Sequence, residues 1–140
     1  MAKCKIIRDS SGAFFGIRWW CPGCVYMDGS PMEVTLAVDW REVPEEPESV
    51  HQAGRPHWSF NGDMDKPVFG PSINSYWGGE TYKKDDGTEY VPVPKHICHS
   101  FIGINGAQPG QIIFLGDCTH KLVGQVVDLP DVPEKKPWED

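Results

Sequence analysis

The chain has no apolar run of 18 residues, so it offers no candidate for a membrane-spanning helix. Its first residues lead straight into a short strand-like segment and show no secretory signal pattern. No segment repeats its apolar residues at the spacing of a long helix, and there is no internal repeat. We therefore expect a soluble, cytoplasmic protein with little helix.

Positive charge is also scarce. Lys and Arg number 13 against 20 Asp and Glu, which gives a net charge of −7, and no basic cluster is longer than Lys83-Lys84. A domain that binds nucleic acid needs basic side chains to neutralise phosphates, so the composition argues against such a partner. The H-x-E element of zinc-dependent cytidine deaminases is missing as well, which excludes that class.

Cysteine is present in five copies, and four of them fall in a pattern typical of zinc sites. Cys21 and Cys24 form a C-x2-C knuckle, predicted to lie in a turn where a strand ends, and Cys98 and Cys118 supply a distant second pair. A structural Zn²⁺ on these thiolates would join the beginning of the domain to its end. A disulfide framework and free buried thiols are the alternatives, and Cys4 is expected to pack as a small hydrophobe. No helix pattern follows Cys24, as a thioredoxin-like redox site would require.

The remaining pattern predicts a mostly β fold, a single small zinc-stapled antiparallel sheet domain with short helical turns and long loops. We expect this domain to cover residues 1–130 and a flexible tail to cover 131–140. Strands are predicted over 5–8, 13–20, 33–40, 69–77, 97–104, 111–115 and 125–129. A hairpin of type I′ character is predicted around Asp85-Asp86-Gly87, a helical turn over 117–124, and a loop over 43–56.

Polar side chains adjoin the second cysteine pair. Neighbouring residues of a strand face opposite sides, so Cys98 can serve a metal while His99 faces a cleft. A hydrolase needs a nucleophile, a base within hydrogen-bond reach and a group that orients the base. In the candidate set, Ser72 is the nucleophile with Ser100 as runner-up, His99 and His120 are the bases, and Asp117 or Asp63 orients the base.

Plainer interpretations of these residues remain open. Asp117 can simply cap a helical turn. His99 can be a buried histidine bonded to a carbonyl, or can replace one cysteine as a metal ligand, and His96 can also contribute a ligand. If all four cysteines bind the ion, no position is left for water and the metal is structural.

Five blocks of the sequence together resemble a small family of phage and bacterial proteins, often labelled ammonia monooxygenase. The blocks are residues 19–24, 58–63, 66–73, 98–102 and 114–130, which read WWCPGC, WSFNGD, KPVFGPSI, CHSFI and FLGDCTHKLVGQVVDLP. The label does not fit, since an integral-membrane oxygenase needs apolar spans that this chain lacks. The segment 76–95 is longer than the family's usual link, and Val25-Tyr26-Met27 replaces a more polar stretch.

The resemblance implies a metal-binding protein. Members of the family also occur in bacterial operons that encode ubiquitin-like proteins with their activating and conjugating enzymes, which implies a peptidase acting on a ubiquitin-like tail or conjugate. Two other functions stay open. One is a zinc-dependent hydrolase with His99 and His120 as ligands, and the other is a non-catalytic zinc module that binds a host protein, with residues 44–48 and the Asp85-Asp86-Gly87 hairpin as contact surfaces.

Overall fold

The structure, a computed structural model, describes residues 2–43 and 57–133. Strands dominate these residues and a single 3₁₀ segment, Trp40–Glu42, is the one helical element among them, so the mostly β prediction is confirmed. Residues 44–56 of the predicted loop, including the proposed contact segment 44–48, and residues 134–140 of the predicted tail lie outside the described residues. The strands are β1 (Cys4–Arg8), β2 (Phe14–Val25), β3 (Pro31–Leu36), β4 (Ser59–Phe60), β5 (Phe69–Trp77), β6 (Tyr82–Lys83), β7 (Glu89–Tyr90), β8 (His96–Ile102), β9 (Gln111–Phe114) and β10 (Val126–Asp128).

Two antiparallel sheets and a separate hairpin make up the described fold. The first sheet has the order β1-β2-β3, the second has the order β10-β9-β8-β5-β4, and β6 pairs only with β7. Apolar residues of both larger sheets meet in one buried cluster, because each sheet must cover one face from water. The largest fully buried members of that cluster are Trp19, Phe14, Phe69, Phe114, Ile17, Ile102 and Ile112.

The cysteine knuckle lies inside β2, so its predicted position in a turn after the strand is wrong. Cys21 pairs with Met32 of β3, whereas Val25 pairs with the adjacent Pro31, so extra residues of β2 are accommodated between the two pairs. Such a bulge bends a strand and redirects its side chains. The bend directs Cys21 and Cys24 toward the interior, where both are buried.

The hairpin around Asp85-Asp86-Gly87 is confirmed, but its type I′ geometry is wrong. The N–H of Gly87 donates to the carbonyl of Lys84, and Gly87 has a φ of 87°. A type I′ turn needs positive φ at both central residues. Among the described residues Asn105 is the only non-glycine with positive φ, so neither aspartate meets this requirement.

The predicted helical turn over 117–124 is also wrong, because this segment forms successive turns without a helix. It runs along the first residues of β8, because β9 pairs only with the last three, Ser100 to Ile102. The N–H of Thr119 donates to the carbonyl of Ile97 at 3.0 Å, and the Ile97 N–H returns a bond to the Thr119 hydroxyl at 2.9 Å. Backbone groups that a helix would satisfy internally are thus bonded to β8, which holds residues 117–120 beside Cys98.

At the ends of the described chain, the first and last segments are in contact. The Val132 N–H donates to the carbonyl of Ala2 at 2.9 Å, and Lys3 forms an ion pair with Asp131 at 2.8 Å. Cys4 packs as a buried residue beside Met64, as predicted, with 3.5 Å between the sulfurs.

Candidate metal centre and catalytic pair

The four predicted cysteine ligands are all buried, and the fold gathers them around Cys98. The β2 knuckle brings Cys21 and Cys24 against β8, and the segment after β9 brings Cys118 from the other side. The sulfurs of Cys21 and Cys98 are 3.8 Å apart. Two sulfurs on one tetrahedral zinc, each about 2.3 Å from the ion, would be separated by about 3.8 Å. The donor set and this spacing fit a thiolate-bound metal ion.

Two groups of potential ligands share Cys98. Cys21, Cys24 and Cys98 have ligand atoms within 4.8 Å of one another, and so do Cys98, Cys118 and His120. The cluster could therefore hold a metal ion with either Cys118 or His120 completing the first group. The cysteine spacing predicted the first group. The competition between Cys118 and His120 could not be predicted in the same way, because it depends on how residues 117–120 bond to β8.

Hydrogen bonds among the three clustered thiols shift their pKa values in opposite directions. Hydrogen bonds from Cys24 and Cys98 lower the pKa of Cys21 to about 3. The same hydrogen bond to Cys21 raises the pKa of Cys24 to about 12, and the bond to Cys21 also raises the pKa of Cys98. A divalent ion bound by all the sulfurs would displace the protons that these thiols still carry.

His120 lies on the cysteine side of the molecule. Its Nδ1 accepts a hydrogen bond from the N–H of Leu122 at 3.2 Å, and its Nε2 is shielded from solvent with no partner among the described residues. Burial lowers the pKa of His120, which favours the neutral form of the ring. Because its Nε2 has no hydrogen-bond partner among the described residues and the ring lies beside Cys98 and Cys118, His120 is a rival for the fourth ligand position.

Gly23 leaves the space that the His120 ring occupies. A Cβ at position 23 would lie 2.5 Å from Nε2 and 2.8 Å from Nδ1 of His120. Gly23→Ala should therefore displace the ring or the knuckle and destabilise the protein by about 1–3 kcal/mol, as overpacking usually does. Urea unfolding of the metal-loaded protein measures the change.

Gly116→Ala is the matched control for this prediction, because a Cβ there meets nothing within 4 Å and its backbone does not have positive φ. A loss of stability that is equal at both positions would contradict the steric explanation.

His99 and Asp117 form a pair on the opposite face of β8. The His99 Nδ1 lies 3.2 Å from an Asp117 carboxylate oxygen, with the two side chains 28% and 54% exposed. The adjacent Cys98 is buried, which confirms the prediction that the side chains of Cys98 and His99 point to opposite faces of β8. A carboxylate on Nδ1 leaves Nε2 available to a substrate or nucleophile.

Ser72 lies on β5, inside the strand and not at a turn leading into it. Asn74, two residues after Ser72, pairs with His99, but the β5–β8 register shifts between Phe69 and Ile73, so strand pairing does not fix the face of Ser72. In the described part of the chain, Ser72 Oγ has no hydrogen bond to an imidazole nitrogen.

The other candidates lie elsewhere. Ser100 is 1% exposed, faces the core on the same side as Cys98, and its Oγ has no partner among the described residues. The Asp63 carboxylate accepts hydrogen bonds from the backbone N–H groups of Lys66 and Asp65, which lower its pKa and engage it within its own turn. His120 shares no hydrogen bond or ring contact with His99 within residues 2–43 and 57–133.

A cleft of about 430 Å³ adjoins the cysteine cluster, a volume in the range of small-ligand sites. The knuckle and the segment after Cys118 form its walls. Its lining residues are Pro22, Gly23, Val25, His96, Thr119, His120, Lys121 and Leu122. The sequence did not predict this cleft, since its walls come from segments about 100 residues apart.

No protein-family model, curated protein or solved structure matches this chain. The described residues contain no helix that is long and apolar enough to cross a membrane.

Proposed function

We propose that this protein is a zinc-stabilised hydrolase, and specifically a serine-type peptidase that acts on the tail or conjugate of a ubiquitin-like protein. In this proposal the ion is structural and binds Cys21, Cys24, Cys98 and Cys118. The observation that carries the catalytic part is the contact between His99 Nδ1 and Asp117. The choice of a ubiquitin-like substrate rests on the sequence resemblance alone.

The zinc centre holds β2, β8 and the segment 117–120 in one place. When bound, the ion would cross-link these three segments. With four protein ligands it would have no open coordination position for chemistry. Asp117 precedes Cys118 directly, so fixing Cys118 also fixes the carboxylate that contacts His99.

In the proposed reaction, Asp117 holds the His99 ring in the tautomer with a proton on Nδ1. The His99 Nε2 then accepts the Ser72 Oγ proton as that oxygen attacks the scissile carbonyl, and returns it to the leaving amine. Because Ser72 Oγ has no hydrogen bond to an imidazole nitrogen among the described residues, this step requires a rotation of Ser72 or His99 when substrate binds. Catalytic hydrogen bonds often form only in such a complex.

A zinc-dependent hydrolase is the second candidate, and the group formed by Cys98, Cys118 and His120 favours it. Three protein ligands would leave a fourth position for water, which an ion can activate. His99 belongs to neither ligand group, so only His120 of the two predicted histidine ligands supports this function.

Two substitutions separate these functions. The probe is a ubiquitin-like protein with a fluorescent amide on its C-terminal tail, and release of the fluorophore is measured together with metal content. Under the peptidase proposal, Ser72→Ala should abolish release at unchanged zinc content, whereas His120→Ala should leave zinc bound. Loss of zinc in His120→Ala would favour the second candidate.

If the wild-type protein binds zinc but releases no fluorophore, the peptidase proposal fails with this substrate class. A non-catalytic module that binds a host protein would then be the better interpretation.

A further inference from the structure

His96 begins β8, and its ring lies between another aromatic ring and the cysteine knuckle. It pairs with Trp77 across β5 and β8, and the two rings stack with centroids 4.0 Å apart and planes 14° apart. The His96 Nε2 lies 3.1 Å from the Cys24 sulfur. One nitrogen of the ring is therefore held at hydrogen-bond distance from a predicted metal ligand.

The geometry separates His96 from the ligands themselves. The ligand atoms of one ion must lie close to one another. The two groups that meet this condition, with all ligand atoms within 4.8 Å, do not include His96. The contact that its Nε2 makes is with Cys24, one member of the first group. That arrangement is typical of an outer hydrogen bond to a bound thiolate, and not of a coordinating imidazole.

We propose that His96 is a positioning residue for the metal centre, donating a hydrogen bond from its Nε2–H to the thiolate of Cys24 while Trp77 fixes its ring. This inference rests on the metal-binding part of the proposed function and is independent of the peptidase chemistry. It assigns His96 and Trp77 a role that the sequence pattern did not predict.

The physical reason is the charge of the site. Four thiolates on a divalent cation carry two excess negative charges in a buried environment, where uncompensated charge is costly. A hydrogen bond donated to one sulfur withdraws part of that charge. Because Cys24 lies in β2 and His96 in β8, the same bond also ties the first sheet to the second.

Two amide substitutions provide the test, since they share their chemistry and differ only in reach. The side-chain amide nitrogen introduced by His96→Gln can occupy the position of Nε2, whereas the one introduced by His96→Asn reaches only the position of Nδ1. We expect His96→Asn to bind Zn²⁺ about 10–100-fold more weakly than the wild type, as loss of an outer-shell partner usually does. His96→Gln should lose clearly less, and competition with a chromophoric chelator measures both.

Co²⁺ substitution gives a second measurement that does not depend on catalysis. The sulfur-to-cobalt charge-transfer bands should shift in His96→Asn and in His96→Phe, which keeps a ring against Trp77 but removes the donor. His57→Phe is the control, because in the described part of the chain no hydrogen bond joins His57 to a cysteine and its Nε2 has no hydrogen-bond partner.

The outcomes are distinguishable. Wild-type protein that binds neither Zn²⁺ nor Co²⁺ would overturn the metal centre itself. Wild-type binding together with unchanged affinity and unchanged bands in His96→Asn and His96→Phe would overturn only the role of His96.

Discussion

Cys98→Ser should release the bound metal and unfold the domain. Cys98 belongs to both ligand groups, so its loss damages the centre whether Cys118 or His120 completes it. A structural zinc contributes on the order of 10 kcal/mol to folding in small zinc domains. A domain of this size has a total stability of only about 5–15 kcal/mol. Metal analysis of purified protein and thermal unfolding followed by circular dichroism measure the two effects.

Cys4→Ser is the matched control, because Cys4 is as buried as Cys98 but belongs to neither ligand group. It should keep one equivalent of metal and lose only about 1–3 kcal/mol of stability, the cost expected for a buried hydroxyl. A strong chelator should reproduce the Cys98→Ser result in the wild type. Retention of metal and of the melting temperature in Cys98→Ser would contradict the proposed centre.

Local patterns were sufficient to predict most strands. In residues 69–77 the buried side chains of Phe69 and Ile73 are separated by an even number of positions, and the predicted strand has the same bounds as β5. The turn at Asn105-Gly106 follows equally from local chemistry, since Asn and Gly tolerate the positive φ that both residues adopt. Such features depend on neighbouring residues, which a sequence displays directly.

Features that depend on distant segments were missed or wrong. Nothing near the knuckle indicates that Pro31 and Met32 will pair across a bulge and keep Cys24 inside β2. The segment 117–124 carries a plausible helix start and end, yet bonds from β8 override that local preference. The stacking of Trp77 on His96 follows from the β5–β8 register, which composition does not specify.

The same distinction applies to the candidate site. Strand alternation predicted that Cys98 and His99 point in opposite directions. The sequence also predicted that an aspartate orients a histidine. The sequence left open which of the two candidate bases, His99 or His120, Asp117 contacts. The fold decides in favour of His99, since the turn after β9 directs the Asp117 side chain across the outer face of β8.

Asp117→Asn should reduce turnover of the fluorescent ubiquitin-like substrate by about 10⁴-fold, the effect of the same change in a Ser-His-Asp triad. The asparagine amide can present an N–H to His99 Nδ1, which selects the tautomer with its proton on Nε2 and blocks that nitrogen as a base. Because the change preserves the side-chain shape, KM and zinc content should stay close to wild type. Steady-state kinetics with parallel metal analysis measure these quantities.

Combining variants makes this prediction sharper. The losses of activity from substitutions of groups that act as one unit are not additive, so Asp117→Asn in a Ser72→Ala background should cause little further loss.

Asp128→Asn is the control, because Asp128 accepts a hydrogen bond from Gln111 on β9 and has no hydrogen bond to a histidine in the described residues. Turnover that falls equally in Asp117→Asn and Asp128→Asn would assign the effect to general surface charge. Independent, additive losses from Ser72 and Asp117 would show that the two side chains do not share one reaction, and the His99 pair would then stabilise the segment beside Cys118 without taking part in catalysis.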